Sequence, residues 1–388
     1  MHKKKLIRIT TVPISLEKLL ESQLTFMNGH YEVIAVSSEE EKLAKFGKDN
    51  GVRTHYIELT RQITIIKDLK ALWKMYRFLK KEKPFIVHSH TPKAGTIGML
   101  ASKFARVPNR LHTVAGLPLL EATGLKRRIL NFVEKITYKA ATKVYPNSFG
   151  LMEIIIQEKF CSVDKLNVIA NGSSNGIDTS FFNPALFDEQ KKREFRNSLN
   201  IDENDFVFVF IGRLVADKGI NELVTAFNTI SKSDQTIKLL LVGPKEPELD
   251  PLKPETESLI NVNKHIIIIG FQSDVRPYLA ISNVLTFPSY REGFPNVVMQ
   301  AGAMGLPSIV SDINGCNEII EEGINGLFIP PKDSMALQNA MISLLEDKNV
   351  YKNLKNNARQ MITSRYEQKL VWEALLSEYQ DLLVGSKI

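Results

Sequence analysis

Short apolar runs alternate with amphipathic stretches along the whole chain. In the first half the runs are "KLIRIT", "YEVIAVSS", "THYIEL", "PFIVHSH", "RLHTVAG", "KVYPNS" and "KLNVIANG"; in the second they are "FVFVFIG", "IKLLLVG", "HIIIIGF", "VLTFPS", "PSIVS" and "GLFIP". Runs of this length, rich in β-branched and aromatic residues, predict strands. The second set is almost continuously apolar, as in parallel strands buried on both faces. Helical patterns such as residues 94–106 and 124–142 lie between the runs. Strands alternating with helices predict an α/β, doubly wound architecture of parallel sheets covered on both sides.

At 388 residues the chain exceeds what one ordinary core supports, so two domains are expected. The polar stretch "NGSSNGIDTSFFNPALFDEQKKREFRNSLNIDEND" marks the connection, giving Rossmann-like domains over 1–180 and 181–365. Residues 366–388 predict an amphipathic helix packing back toward the first domain, with Tyr366, Leu370, Trp372, Leu375 and Leu376 available for contact. Two facing domains of this kind place a cleft at the carboxyl ends of both sheets, where such sheets bind ligands.

Composition narrows the class. Cys161 and Cys316 stand far apart with no Cys-x-x-Cys or Cys/His spacing, which argues against a disulfide framework or structural zinc and fits a reducing cytoplasm. The basic start "MHKKKLIRITTVPIS" reads as a first strand, because Arg8 interrupts its apolar part and no small-residue cleavage site follows. No apolar run is long enough to span a bilayer, so any membrane contact is expected to be peripheral. The net charge of +7 divides unevenly: residues 1–200 carry +14 and the remainder −7. The stretches "ITIIKDLKALWKMYRFLKKEKP" and "GLKRRILNFVEKITYKAATK" mix bases with apolar residues at helical spacing. Each alone reads as a core-packed helix with a solvated basic face; with the basic half they suggest an anionic membrane surface as partner. No nucleic-acid motif accompanies the charge, and nucleic acid is not expected as a partner.

Candidate chemistry lies just after the strands. In "FVFVFIGRLVADKGINEL" a buried run ends at Gly212, Arg213 and Lys218 flank a short loop, and Gly219 precedes a helix. Cations beside free backbone N–H groups at a helix start suit a diphosphate. In "VLTFPSYREGFPNVVMQAGAMG" a second strand–loop–helix passage has Pro295 suited to the first helical turn. Ala301, Gly302, Ala303 and Gly305 there suggest close packing on the sheet. Glu292 requires donors before that helix: sugar hydroxyls, or Arg291 in a structural pair. His88 and His90, two apart on a strand end, share a face and could meet substrate; with no third ligand nearby, metal binding is not expected. Asp-x-Asp is absent, leaving a metal-held diphosphate without support.

The order and spacing of "NVIANGSSNGID", "GRLVADKG", "FPSYREGFPNVVMQAGAMGLPSIVSDINGCNEII" and "GLFIPPKD" resemble the C-terminal half of family-4 retaining glycosyltransferases of the GT-B fold, over roughly residues 140–365. "FIVHSHTPKAGTIGMLASKFARVPNRLHTVAGLPLLEATG" is similar to the subgroup of bacterial capsule, O-antigen and related surface-polysaccharide assembly. The resemblance implies metal-independent transfer of a hexosyl or N-acetylhexosaminyl group from a nucleotide diphosphate donor, expected to be UDP-linked, to a polyprenyl-diphosphate-linked glycan. It implies a cytoplasmic enzyme, peripheral on the inner face of the cell membrane, with no cofactor.

By the same resemblance Arg213 and Lys218 would bind the donor diphosphate and Glu292 the donor-sugar hydroxyls. The amides of Phe294 and Asn296 would face the diphosphate, Gly270, Phe271 and Val275 would frame the base, and Gly212, Gly293 and Pro295 would complete the nucleotide-sugar site. Gln300 stands where such families have a Glu on the ribose diol; its amide can both accept and donate. Ser15, His88, His90 and His112 are the acceptor-side candidates. Two departures stand out: "TTVPISLEKLL" replaces a Gly-rich loop after the first strand, and Ala115 replaces the His of a His-Gly pair. Rival expectations are a UDP-sugar epimerase of the same fold and a non-catalytic nucleotide-sugar-binding component of an assembly complex. A nicotinamide oxidoreductase is disfavoured by the missing Gly-x-Gly-x-x-Gly turn.

Overall fold

The alternating runs form two parallel sheets in a computed structural model that describes residues 3–20, 22–60, 64–248 and 250–385. The chain divides into unit 1, Met1–Gly176 with Gln368–Ile388, and unit 2, Ile177–Glu367.

In unit 1 the strands are β1 (Lys5–Ile9), β2 (Glu32–Ser37), β3 (Arg53–Tyr56), β4 (Ile86–His90), β5 (Asn109–Val114) and β6 (Lys143–Pro146). Their order is β3-β2-β1-β4-β5-β6. Arg8 lies beside His88, and His90 beside Thr113. Because side chains alternate along a strand, Arg8, His88, His90, Thr113 and Tyr145 share one face, while Ile9, Ser89, His112 and Val144 share the other. The first face packs with Leu16, Leu24, Leu375 and Tyr379; the second packs with apolar residues of the helices Pro92–Phe104 and Gly124–Ala140. The expected strand "KLNVIANG" does not form. Leu166 makes one isolated bridge to Val144, and the chain leaves the sheet edge through Ala170 at φ 51°.

Unit 2 contains β7 (Phe206–Ile211), β8 (Ile237–Val242), β9 (Ile266–Gly270), β10 (Val284–Phe287), β11 (Ser308–Ser311) and β12 (Gly326–Ile329), in the order β12-β11-β10-β7-β8-β9. Numbered within its own unit, each sheet has the order 3-2-1-4-5-6 of a dinucleotide-binding fold, with its switch point between the first and fourth strands. Val207 through Phe210 are fully buried, as the continuous apolar run requires.

The last helix, Gln368–Gly385, belongs to unit 1. It buries Val371, Leu375 and Tyr379, whereas Leu370 points outward at 44% exposure. Tyr366 ends the preceding helix, Lys348–Tyr366, and packs on Phe294 within unit 2. The extended Glu367 interrupts the helix between them, so the apolar period restarts there and the residues chosen from one continuous pattern fall in two units. Residues 386–388 of the expected C-terminal helix lie outside the described residues. No helix among the described residues is long and apolar enough to cross a membrane.

Candidate active site

The loops that follow β7 and β10 meet at the switch point of unit 2. Gly219 makes their approach possible: it sits at φ +71°, and a Cβ there would lie 2.1 Å from the Pro288 carbonyl oxygen. Only glycine combines that backbone angle with that contact. The short 3-10 turn Ala216–Lys218 thereby delivers Lys218 to the second loop.

Lys218 Nζ donates to Glu292 Oε1 at 2.5 Å, and both side chains are 16% exposed. Ser289 Oγ donates to the same carboxylate oxygen at 2.9 Å. The carboxylate is thus held from two sides in a mostly buried position, where a charge pair is screened less than at the surface. Arg291, the alternative structural partner for Glu292, turns instead to Asp217 Oδ2 at 3.0 Å. Arg213 reaches Glu246 at 3.1 Å from the start of the first loop. Burial, helped by the neighbouring Glu222 carboxylate that accepts from its hydroxyl at 2.7 Å, raises the Tyr290 phenol above its ordinary range. Burial likewise raises the Cys316 thiol well above its ordinary value, with Glu292 adding to the effect; it stays neutral.

Asn314 donates to the carbonyls of Glu292 and Gly293 at 3.1 and 2.9 Å, fixing the loop ahead of the helix Asn296–Ala303. Pro295 occupies the position preceding this helix rather than its first turn. The backbone N–H groups of Phe294 and Asn296 donate to no backbone acceptor among the described residues outside regular elements. Gln300 is half-buried one turn into the helix. Gly302 does pack closely, but on Ile362 of the helix Lys348–Tyr366, where a Cβ would lie 2.5 Å from Cγ1. The small residues expected to face the sheet therefore also admit a second helix. Gly270 at φ +77°, Phe271 at 72% exposure and half-buried Val275 follow β9. Together the loops after β7, β8, β9 and β10 bring the predicted residues of unit 2 to one end of its sheet. Ser289, Asp217 and Asn314 were missed. Their signal was position alone, since each lies in a loop just after a strand or on one beside it.

In unit 1 the structure joins His88 to His90, whose ring centroids are 4.4 Å apart, and separates both from His112. His112 lies on the opposite face, 2.9 Å from Ser89 Oγ. Burial lowers its imidazole to about 4. Burial first, and then the Arg8 guanidinium, holds His88 and His90 well below the ordinary histidine range. Arg8 donates to His90 Nε2 at 2.9 Å, and a metal cation there would face a guanidinium that cannot deprotonate. Ser15 lies in the first turn of the helix Pro13–Leu20, just beyond β1.

Two parallel sheets of this order in one chain, the second with a cationic, helix-flanked loop pair at its switch point, define a GT-B-type architecture. Residues 28–172 match the family described as Glycosyl transferase 4-like domain, and residues 191–361 match Glycosyl transferases group 1. The capsular polysaccharide biosynthesis glycosyltransferase CapM of Staphylococcus aureus is 32% identical over 100% of both chains. An Escherichia coli UDP-Gal:alpha-D-GlcNAc-diphosphoundecaprenol alpha-1,3-galactosyltransferase is 30% identical over 92% of this chain and 91% of that protein. The crystal structure of an Anabaena protein, HepE, in complex with UDP shares the fold at a TM-score of 0.81 and 19% identity, covering 97% of this chain and 100% of that one. The chain belongs to the GT-B family-4 glycosyltransferases of the bacterial surface-polysaccharide subgroup, and it is a glycosyltransferase.

Proposed function

We propose that this glycosyltransferase moves a sugar, with retention of anomeric configuration and without a metal, from a UDP-sugar to a hydroxyl of an undecaprenyl-diphosphate-linked glycan. The observation that carries the donor half is the Lys218–Glu292–Ser289 cluster beside a helix start at the switch point of unit 2. The similarity to a transferase named for a UDP-galactose donor and a diphosphoundecaprenol acceptor supports the other half.

The cluster suggests how binding and chemistry are linked. A diphosphate entering beside the helix start competes with Glu292 for Lys218, because its oxygens also receive the backbone N–H groups and the helix dipole. Glu292, released from the lysine and still held by Ser289, is then free to accept from donor-sugar hydroxyls. As the bond between the anomeric carbon and the diphosphate oxygen breaks, charge grows on the leaving diphosphate, and Lys218 and Arg213 stabilise it there. The acceptor oxygen attacks from the same face. Its proton passes to the departing diphosphate oxygen, so the products are the extended glycan and UDP.

The enzyme is read as working at the inner face of the cell membrane. The helix Ile65–Glu82 buries Ala71, Met75, Phe78 and Leu79, yet also exposes Ile65, Ile66, Leu69 and Trp73 at 56–74%. The helix Gly124–Ala140 exposes Leu125 and Phe132 beside Lys126 and Arg128. Besides the face packed inward, each helix thus carries outward apolar residues among bases, which suits an anionic interface.

UDP release from a panel of UDP-sugars, with and without an undecaprenyl-diphosphate-linked glycan, tests the reaction. Mass spectrometry should show an extended lipid only when both are present. Release that ignores the acceptor, or a converted UDP-sugar with no release, would exclude it.

A further inference from the structure

Unit 1 encloses a cavity at the carboxyl end of its sheet, lined by His88, His90, Thr113, Asn147, Ser174 and, from the last helix, Leu375 among others. Its space totals about 320 Å³ including the mouth, but only about 20 Å³ can hold the centre of a water-sized group, room for one or two oxygen atoms.

The hydrogen-bond network behind this cavity has a fixed direction. Arg8 is fully buried and, among the described residues, pairs with no carboxylate. It donates to Gln23 Oε1 at 2.6 Å, Tyr379 Oη at 3.1 Å and His90 Nε2 at 2.9 Å. A guanidinium only donates. His90 must therefore accept through Nε2 and carry its proton on Nδ1, an atom that is buried without a protein partner. Tyr379, accepting from Arg8, directs its own proton to His88 Nδ1 at 2.5 Å. His88 then donates through Nε2 to Thr113 Oγ1 at 2.7 Å, which leaves the Thr113 proton to be donated elsewhere. Ser174 Oγ and Asn147 Oδ1 are also buried and unpartnered; the hydroxyl rotates freely, and a half-turn of the amide offers its N–H instead. Glu378 accepts from Tyr145 and Asn167.

A buried cation is costly unless compensated. The branch through Gln23 ends on the Ser174 carbonyl and Asn175 Oδ1, whereas the two branches through the histidines end in donors lining the same cavity. We propose that this cavity is an anion site that takes one oxygen of a phosphate group. Cavity size excludes a wholly enclosed phosphate, so the group enters by one oxygen with the remainder at the mouth. Two sources share this chemistry: a phosphate of the lipid-linked acceptor, and free inorganic phosphate. Only the first rests on the transfer reaction proposed above.

The test separates the two. Inorganic phosphate is titrated into the full chain carrying Arg213→Ala and Lys218→Ala, which silences the donor-side cations, and binding is followed by thermal shift and 31P line width. Saturable binding is expected, weakened at least five-fold when Ser174→Ala is added. Thr113→Val should weaken it further and Thr113→Ser restore it. Absence of phosphate binding in the double variant, or binding indifferent to both Ser174→Ala and Thr113→Val, would overturn the site whatever the enzyme's activity. In the wild-type reaction, phosphate competing with the lipid acceptor and not with the UDP-sugar assigns the site to the acceptor. Binding without that competition assigns it to free phosphate.

Discussion

Lys218 Nζ lies 2.5 Å from Glu292 Oε1, although the two residues are 74 positions apart. The pair couples the diphosphate and sugar sides of one site, so its two halves should respond differently to substitution. Lys218→Ala should lower turnover by about 10²–10³, the usual effect of removing one group that stabilises leaving-group charge. Glu292→Gln should lower turnover as well, yet bind UDP more tightly, because the lysine is no longer neutralised by its carboxylate. Steady-state kinetics and UDP calorimetry measure both. Weaker UDP binding by Glu292→Gln would show that the carboxylate does not compete with the diphosphate.

Gly219→Ala tests whether the two loops must touch. With φ +71° and the Pro288 carbonyl 2.1 Å from the added carbon, the substitution should cost about 1–3 kcal/mol of stability. It should also raise the KM for donor, because Lys218 immediately precedes Gly219. Denaturant melts beside kinetics would decide it; a fully stable variant with normal KM would mean the loops can separate without consequence.

The loops of unit 2 were legible because parallel strands leave their ligand-binding ends where an apolar run stops; Gly212 and Arg213 mark that point in plain sequence. The pairing was not legible. Arg291 neighbours Glu292 in the chain but bonds Asp217, while Glu292 bonds the distant Lys218, and only the fold of two loops onto one another settles that choice. Arg8 was harder still. In "KLIRIT" it reads as an interruption of an apolar strand, whereas its burial depends on His90 and on Tyr379, 371 residues away. The strand pattern assigns its face of the sheet, but not the helix that covers it.

The buried imidazoles of the first sheet make stability sensitive to acid. His88, His90 and His112 have folded values lowered by burial, His112 to about 4. The unfolded chain therefore takes up protons near pH 6.5 that the folded chain refuses, and their contribution, complete above about pH 6.5, is lost as pH falls below it. For His112 alone the loss between pH 6.5 and 4 amounts to about 3 kcal/mol. Urea midpoints should be level from pH 8 to 7 and drop progressively below 6.5. Imidazole proton signals that titrate near 6.5 in the folded protein for all three residues would contradict the burial.

Gln300 offers the sharpest test of how the donor's ribose is held. It is half-buried one turn after Asn296, the first residue of the helix that follows Glu292. A neutral amide at this place can bond a diol, but charged acceptors make stronger bonds to hydroxyls than neutral ones do. A carboxylate near a helix start is also favoured by the dipole. Gln300→Glu should therefore tighten UDP binding by roughly three- to ten-fold while leaving the melting temperature almost unchanged. Because the gain comes from the ribose diol, it should shrink when 2′-deoxy-UDP, which keeps only the 3′-hydroxyl, replaces UDP in the same calorimetric titration. Equal gains for both nucleotides would place the new charge elsewhere, against the base or the diphosphate; no gain for either would mean that this helix face does not meet the ribose at all.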